Sequence, residues 1–366
     1  MDHDFCRSGF ALGIEEELMI VADGSFELVN AVESLLEEVP VGAIKPELME
    51  SVLEISTEPC HTVAEAAVQL RALRRQVCGR AGERALRIGS AGTHPFAMWE
   101  EQRIVSRERY RGLLASLGFV ARQELIFGMH VHVGVDDPDK AIYVANGMRV
   151  HIPILVALSA NSPFWRGEPT GLMASRTPIF RAFPRVGVPP AYTDWADYER
   201  RIDFMVSSGV IEDYTYLWYD VRPHPLLGTV EIRAMDSQTR LEHTLALGAL
   251  TQCLVKELAD LYEAGRASTA PAWEMLDENK WLAARHGLDV ELVDLPSAQR
   301  VGACHLARRL LERLGGHAQD LDCERELEGI GDLIEHGTGA ARQMRVYDAN
   351  HDLREVMSEI VTATGA

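Results

Sequence analysis

The sequence predicts an α+β protein, an antiparallel β-sheet flanked by helices, on three observations. Short segments alternate charged and apolar residues at period two, GIEEEL, GMHVHVGV and TVEIRAM among them, and read as half-buried strands. Other stretches carry apolar residues at helical spacing. Strands and helices are interspersed without strict β-α-β alternation or a G-x-G-x-x-G turn, which weighs against a dinucleotide-binding parallel sheet.

Along the chain, Phe10 to Val21 (FALGIEEELMIV) reads as a strand entering a hairpin at Ala22-Asp23-Gly24-Ser25. Asn30 with Glu33 three residues on is a capping-box pattern and predicts a short helix from Asn30 to Val39. The segment PELMESVLEISTEP, Pro46 to Pro59, has two readings. As a helix it places Glu47, Glu50, Glu54 and Glu58 on one face; as a strand it alternates Glu50, Glu54 and Glu58 against Leu53, Ile55 and Thr57. Thr62 and Glu65 again form a capping-box pattern. Val63, Ala66, Ala67, Leu70, Leu73 and Val77 continue it as a long helix, with Arg71, Arg74 and Arg75 away from the apolar stripe.

LRIGSAGTHP reads as a strand into a loop, and LIFGMHVHVGVDDPD as a strand ending in a turn at Asp136 to Asp139. Lys140 to Leu158 is helical, and Asn161 to Ala191, crowded with Pro, Gly and Arg, is a long loop-rich connection of the kind that often serves as a lid. Tyr198 to Val206 is helical, Tyr214 to Val221 and Gly228 to Met235 are strands, and His243 to Ala264 is a long amphipathic helix. From Ala270 the chain reads as helical and charged, ending in Asp352 to Thr364.

With 47% hydrophobic residues in a 366-residue chain, a large core can be buried. A formal net charge of −19 repels nucleic acid and anionic membrane alike, so neither is an expected partner. The six cysteines contain no C-x-x-C pair, which argues against a zinc site or a disulfide framework and fits a reduced, cytoplasmic protein. The N-terminus lacks a basic and apolar leader, and no run approaches the ~20 apolar residues of a membrane helix.

The chemistry concentrates on the strands. His130 and His132 alternate with valines and share a face, as do Glu15 with Glu17 and Glu231 with Arg233. Carboxylates crowded on a sheet face repel one another and lose hydration, so they need solvent or cations opposite them. Oxygen-rich ligands with an occasional imidazole suit Mg²⁺ or Mn²⁺ better than zinc. Arg176, Arg222 and Arg233 are suited to a bidentate grip on phosphate or carboxylate. Such a set describes a site for phosphoryl chemistry.

The motifs GIEEEL, PELMESVLEISTEP, GMHVHVGV, SANSPFWRGEPTGLMASRTPIF and GTVEIRAMDSQ, in this order from about Gly13 to about Asp260, resemble the type-2 glutamate-cysteine ligase family of bacterial carboxylate-amine ligases. The resemblance implies a glutamine-synthetase-like catalytic fold: a curved antiparallel sheet whose concave face binds divalent metals, ATP and an amino acid. It also implies the strand reading over Val52 to Thr57. Carried over motif by motif, Glu15, Glu47 and Glu54 would hold one metal, while Glu17, His130 and Glu231 would hold metals bridging the ATP phosphates. Arg233, Arg176 and Glu231 would act at the reacting groups, with Arg233, Arg222 and Arg176 on the nucleotide. Glu50 and Glu58 match the metal pattern less well, and His132 would be a supporting or substrate group.

The implied reaction is ATP-dependent amide formation through an acyl phosphate, from glutamate to cysteine, with Mg²⁺ or Mn²⁺ as cofactor and no enzyme nucleophile. The partners expected are small amino acid and amine substrates, in a cytoplasmic homodimer. The chain is expected to be one ligase domain over 1–366, with a catalytic core at 10–264 and a helical part at 265–366 packed on it. The alternatives are another amine acceptor or a guanidino kinase-type reaction on the same scaffold, a His/Glu metal-dependent oxygenase or hydrolase that ignores ATP, and a non-catalytic protein that keeps the fold.

Overall fold

A computed structural model describes residues 1–6, 9–37, 42–268 and 270–366. Its centre is a seven-stranded antiparallel sheet. The strands are β1 (Leu12–Ala22), β2 (Ile44–Pro46), β3 (Val52–Ser56), β4 (Leu86–Gly89), β5 (Gly128–Gly134), β6 (Val221–His224) and β7 (Thr229–Asp236). They lie in the order β6-β7-β5-β1-β3-β2, with β4 on the far end of β1. β1 organises the sheet: it pairs with β3 through Glu15 to Met19, with β5 through Leu12 to Glu16, and with β4 through Met19 to Ala22.

Period two then sorts the side chains. Ile14, Leu18, Ile20, Val131, Val133, Val230 and Ile232 are buried in one core under the helices Val63–Gly82 and Leu241–Glu263. Each large aliphatic chain removed from water there contributes about 2 kcal/mol. Glu16 breaks the pattern, wholly buried on this apolar face. Arg74 reaches it from the Val63–Gly82 helix, with Nε 2.8 Å and Nη2 2.6 Å from the two carboxylate oxygens, and also donates to the carbonyls of Gln238 and Thr239. Arg74 therefore points into the core, not outward with Arg71 and Arg75, because a buried carboxylate needs a cation beside it.

On the opposite face, Met19 and Val21 are covered by Val356, Met357, Ile360 and Val361 of the C-terminal helix Leu353–Thr364. The Thr364 hydroxyl accepts from the Ser90 backbone N–H at 3.0 Å. This leaves the Glu15 and Glu17 end of that face open.

Several local expectations are corrected. The first helix is Val32–Leu36, capped at Ala31, because the Asn30 side chain bonds instead to the Arg103 N–H and the Glu101 carbonyl; Val39 lies outside the described residues. PELMESVLEISTEP is a hairpin: β2 ends at Pro46 and β3 starts at Val52. Lys140 to Leu158 divides into helices Pro138–Met148 and Ile152–Ser159 around a tight turn at Arg149–His151, where Pro153 lacks an N–H for a continuous helix. Pro138–Ser159 does reach the length and apolarity of a membrane span, although 83% of its apolar window is buried inside the protein. Its Asn146 and Arg149 donate to the carbonyls of Tyr192 and Pro189.

Tyr214 to Val221 is a tight turn, Tyr214–Tyr216, and a two-residue strand, Trp218–Tyr219, before β6. The region after Ala270 holds a hairpin, Glu291–Asp294 with Gln299–Gly302, that its charged composition concealed. The Asn161 to Ala191 connection contains a short helix, Arg176–Phe180. It is anchored where Asn161 and Ser162 donate to Asp236 and where Met173 and Ala174 donate to the Ala284 carbonyl.

Candidate active site

Strand register assembles the site. Arg222, Glu231 and His132 stand directly opposite one another across β6, β7 and β5. His130 faces Glu15 between β5 and β1, and Glu17, Glu54 and Lys45 form a row across β1, β3 and β2. β7 carries a bulge between Ile232 and Met235, so Arg233 and Ala234 together oppose His130. The extra residue restores Met235 to the core face while Arg233 stays beside Glu231. Above Glu15, Glu17 and Glu54 lies a chamber of about 290 Å³, closed at the sides by Glu47, Tyr110, Glu124 and Trp218.

The histidines report what this face lacks. Burial opposes charge on Glu15, but the hydrogen bond from His130 and the fields of His132 and Lys45 hold it below the ordinary carboxylate range. An ionised Glu15 can only accept, so His130 Nδ1, 3.1 Å away, carries the proton. His130 Nε2 is then a buried lone pair without a partner, 4.0 Å from a Glu17 oxygen. Burial and the Arg233 charge bring His130 down to about 4, a neutral imidazole at physiological pH.

His132 is similar. Its Nδ1 lies 3.0 Å from the Thr229 hydroxyl, and its unpartnered Nε2 faces Glu15 and Glu231 oxygens at 3.8 Å each. Two carboxylates converging on one imidazole nitrogen crowd negative charge, which a cation among them would offset. One ligand atom from each of Glu15, His132 and Glu231 falls within 4.8 Å of the others. These residues fit a divalent cation.

The other acids show the same excess of negative charge. Burial pushes Glu54 and Glu124 well above the ordinary range, and pushes up Glu17 and Glu47; neighbouring carboxylates reinforce this for each. Lys45 offsets part of it, with Nζ 2.7 Å from Glu54. Glu231 is the opposite case: burial is outweighed by Arg222 and Arg233, which hold it well below the ordinary range.

Strand register sets which acids meet. Glu17 stands opposite Glu54, and Glu15 converges with His132 and Glu231, because alternation along β1 places Glu15 and Glu17 in different cross-strand rows. Glu47 lies in the β2–β3 turn, its carboxylate bonded to the Leu48 N–H, and lines the chamber. Glu50 turns away to Arg103 at 2.8 Å, and Glu58 is exposed beyond β3, so neither joins the site.

Of the arginines, Arg222 gives Nε and Nη2 to Glu231 at 2.8 and 2.6 Å, and Nη1 to the carbonyls of Thr215 and Leu217. Its donors are committed within the protein, which makes it a support for Glu231 more than a grip on nucleotide. Arg233 pairs with Glu231 and keeps a buried Nε without a partner. Arg176 is buried, donates to the Arg233 carbonyl and likewise has a free Nε. Gly128 makes room for it: a Cβ there would collide with the Arg176 guanidinium, while the Gly128 N–H donates to Glu17 at 2.5 Å.

Sequence reasoning undervalued His132 and missed Lys45, Tyr110, Glu124 and Trp218. Lys45 has a signal in retrospect, since a hairpin at Pro46 puts it opposite Glu54. Tyr110 and Glu124 come from helical and connecting segments whose sequence carries no mark of the chamber.

The glutamate-cysteine ligase family 2 model matches residues 11–362. A Rubrobacter xylanophilus protein named "Putative glutamate--cysteine ligase 2-1" is 45% identical over 362 residues, 98% of this chain and 96% of its own. A Sorangium cellulosum protein named in the same way, without the final numeral, is 40% identical over 357 residues, 96% and 95% of the two chains. Among solved structures, glutamate–cysteine ligase from Francisella tularensis in complex with AMP matches 99% of this chain and 89% of its own with a TM-score of 0.72 at 14% identity. A bifunctional glutathione synthetase from Pasteurella multocida matches 97% of this chain and 52% of its own with a TM-score of 0.67, also at 14% identity. At that identity the likeness is one of fold.

Proposed function

Because the chain belongs to the glutamate-cysteine ligase family 2 and is a carboxylate–amine ligase, we propose that it joins the side-chain carboxylate of glutamate to an amine using ATP, with cysteine as the acceptor that the family's description suggests. One observation carries this reading. Glu17 and Glu54, carboxyl groups that burial pushes above the ordinary range, line one chamber with Arg233, and Arg233 and Arg176 each keep a buried Nε that no hydrogen bond among the described residues uses.

A carboxylate does not condense with an amine unaided, because its oxygen is a poor leaving group. Transfer of the γ-phosphoryl group of ATP to the glutamate carboxylate forms an acyl phosphate; the amine attacks its carbonyl carbon, and phosphate leaves with the C–O bond electrons. Glu15, His132 and Glu231 would hold one Mg²⁺ or Mn²⁺, and Glu17, Glu47 and Glu54 would serve a second. Such ions, when bound, neutralise phosphate charge. Arg233 and Arg176 would orient the transferring group through their free N–H edges. Arg222 keeps Glu231 ionised and aimed. No enzyme nucleophile is required. A cytoplasmic homodimer is the assembly this reading favours.

The test is phosphate release from Mg-ATP by purified protein, scanning amino acids as carboxyl donors against cysteine and a panel of amines. Turnover should require glutamate and one amine, and should be abolished by a chelator and by Glu54→Gln. Absence of turnover with every pair, or turnover indifferent to both chelator and substitution, overturns the reading.

A further inference from the structure

Glu124 is an acid that the chemistry above does not use. It lies on the connection between the short helix Phe119–Arg122 and β5, off the sheet face, and lines the chamber. The other acids around the chamber each have a local partner. Glu15 has His130, Glu17 the Gly128 N–H, Glu47 the Leu48 N–H, Glu54 Lys45, and Glu231 two arginines. Among the described residues no hydrogen bond or ion pair reaches the Glu124 carboxylate, although it is close enough to Glu47, Glu17, Arg233 and Arg176 to feel their charges. A carboxylate in such a place costs stability unless a cation from outside completes it.

The wall chemistry narrows which cation. Glu124 is partly exposed and shares the chamber with the rings of Tyr110, Phe183, Tyr216 and Trp218. An inorganic divalent ion needs several converging oxygens, whereas a primary ammonium needs one or two acceptors and tolerates an organic body against apolar or aromatic walls. We propose that Glu124 is a specificity residue that binds the ammonium group of a primary amine substrate, holding the acceptor amine beside the reacting carboxylate. This rests on the ligase reading and narrows it: neutral nucleophiles such as alcohols are excluded, and acceptors enter as ammonium ions. One proton passes from nitrogen to the Glu124 carboxylate before attack, and the second is taken up by the phosphate as it leaves.

The experiment is equilibrium binding of small primary amines, cysteine and ethylamine included, to Mn²⁺-loaded protein by calorimetry, in the unmodified protein and in Glu124→Gln and Glu124→Asp. Gln keeps the size and removes the charge. Amine binding should weaken about tenfold or more in Glu124→Gln, and should be partly retained in Glu124→Asp. Mn²⁺ affinity and thermal midpoint should be unchanged in both. Equal amine affinity in the unmodified protein and Glu124→Gln, no amine binding at all, or a parallel loss of Mn²⁺ affinity would each overturn the assignment. Phosphate release separates the two ideas. Amine binding that depends on Glu124, with no turnover for any donor and acceptor, would sink the ligase reading and leave the ammonium site standing.

Discussion

At the scale of single residues, the site is decided by which side chains are left without a partner. The charged alternation of β1, β5 and β7 was legible, since period two needs only local sequence. The partners of the imidazoles were not, because Thr229 and Glu15 come from other strands. Gly128 makes the dependence testable. A Cβ at this position would lie 3.1 Å from His130 Nε2 and inside the Arg176 guanidinium. Gly128→Ala should therefore displace Arg176 and lower phosphate release about a hundredfold, since an ångström of misplacement has that order of effect. The thermal midpoint should move little, because the guanidinium can swing into the chamber. Near-normal turnover in Gly128→Ala would show that Arg176 does not need its present position.

At the scale of elements, the Val63–Gly82 helix is more than a cover for the sheet. Its apolar stripe and its Thr62 cap, which accepts from the Glu65 N–H, follow from the local sequence. The inward turn of Arg74 does not, because the cause is Glu16 on a different element. The Thr244 hydroxyl from a third element donates to the same carboxylate. Arg74→Met leaves Glu16 buried without its cation and should destabilise the protein by about 3–5 kcal/mol in urea unfolding. Combining it with Glu16→Leu should recover most of that loss, since the pair is replaced by apolar volume. A double variant as unstable as the single one would mean that Arg74 acts through its bonds to Gln238 and Thr239 alone.

At the scale of the whole molecule, buried neutral histidines tie stability to pH. His94 is fully buried, with Nε2 donating to the Phe26 carbonyl at 2.8 Å and Nδ1 accepting from the N–H groups of Phe96 and Ala97. Burial lowers its pKa from 6.5 to about 4, the hydrogen bond to Phe26 opposing only in part. The unfolded chain therefore binds a proton at this position below pH 6.5 that the fold rejects until about pH 4. The stabilisation is complete above pH 6.5 and is lost as pH falls towards 4. The loss amounts to about 3 kcal/mol. Comparing urea midpoints at pH 7 and pH 4.5 for the unmodified protein and His94→Gln isolates this contribution. The unmodified protein should lose more stability over that interval, and parallel losses would exclude His94 as the source.

The sequence by itself determined the antiparallel α+β class, the acidic and imidazole-bearing strands, and the order of motifs that the family match over residues 11–362 supports. These follow from periods of two and 3.6 residues and from residue chemistry, both local properties. The tertiary structure alone decided that PELMESVLEISTEP is a hairpin with Glu50 turned out, that Arg74 turns in, and that Arg222 is occupied by Glu231. It also brought His132 together with Glu15 and Glu231, and left the Glu124 carboxylate without a hydrogen bond or ion pair among the described residues. Register between distant strands, and the hydrogen bonds that use up or spare each donor, are set by which elements meet, and no local pattern encodes that.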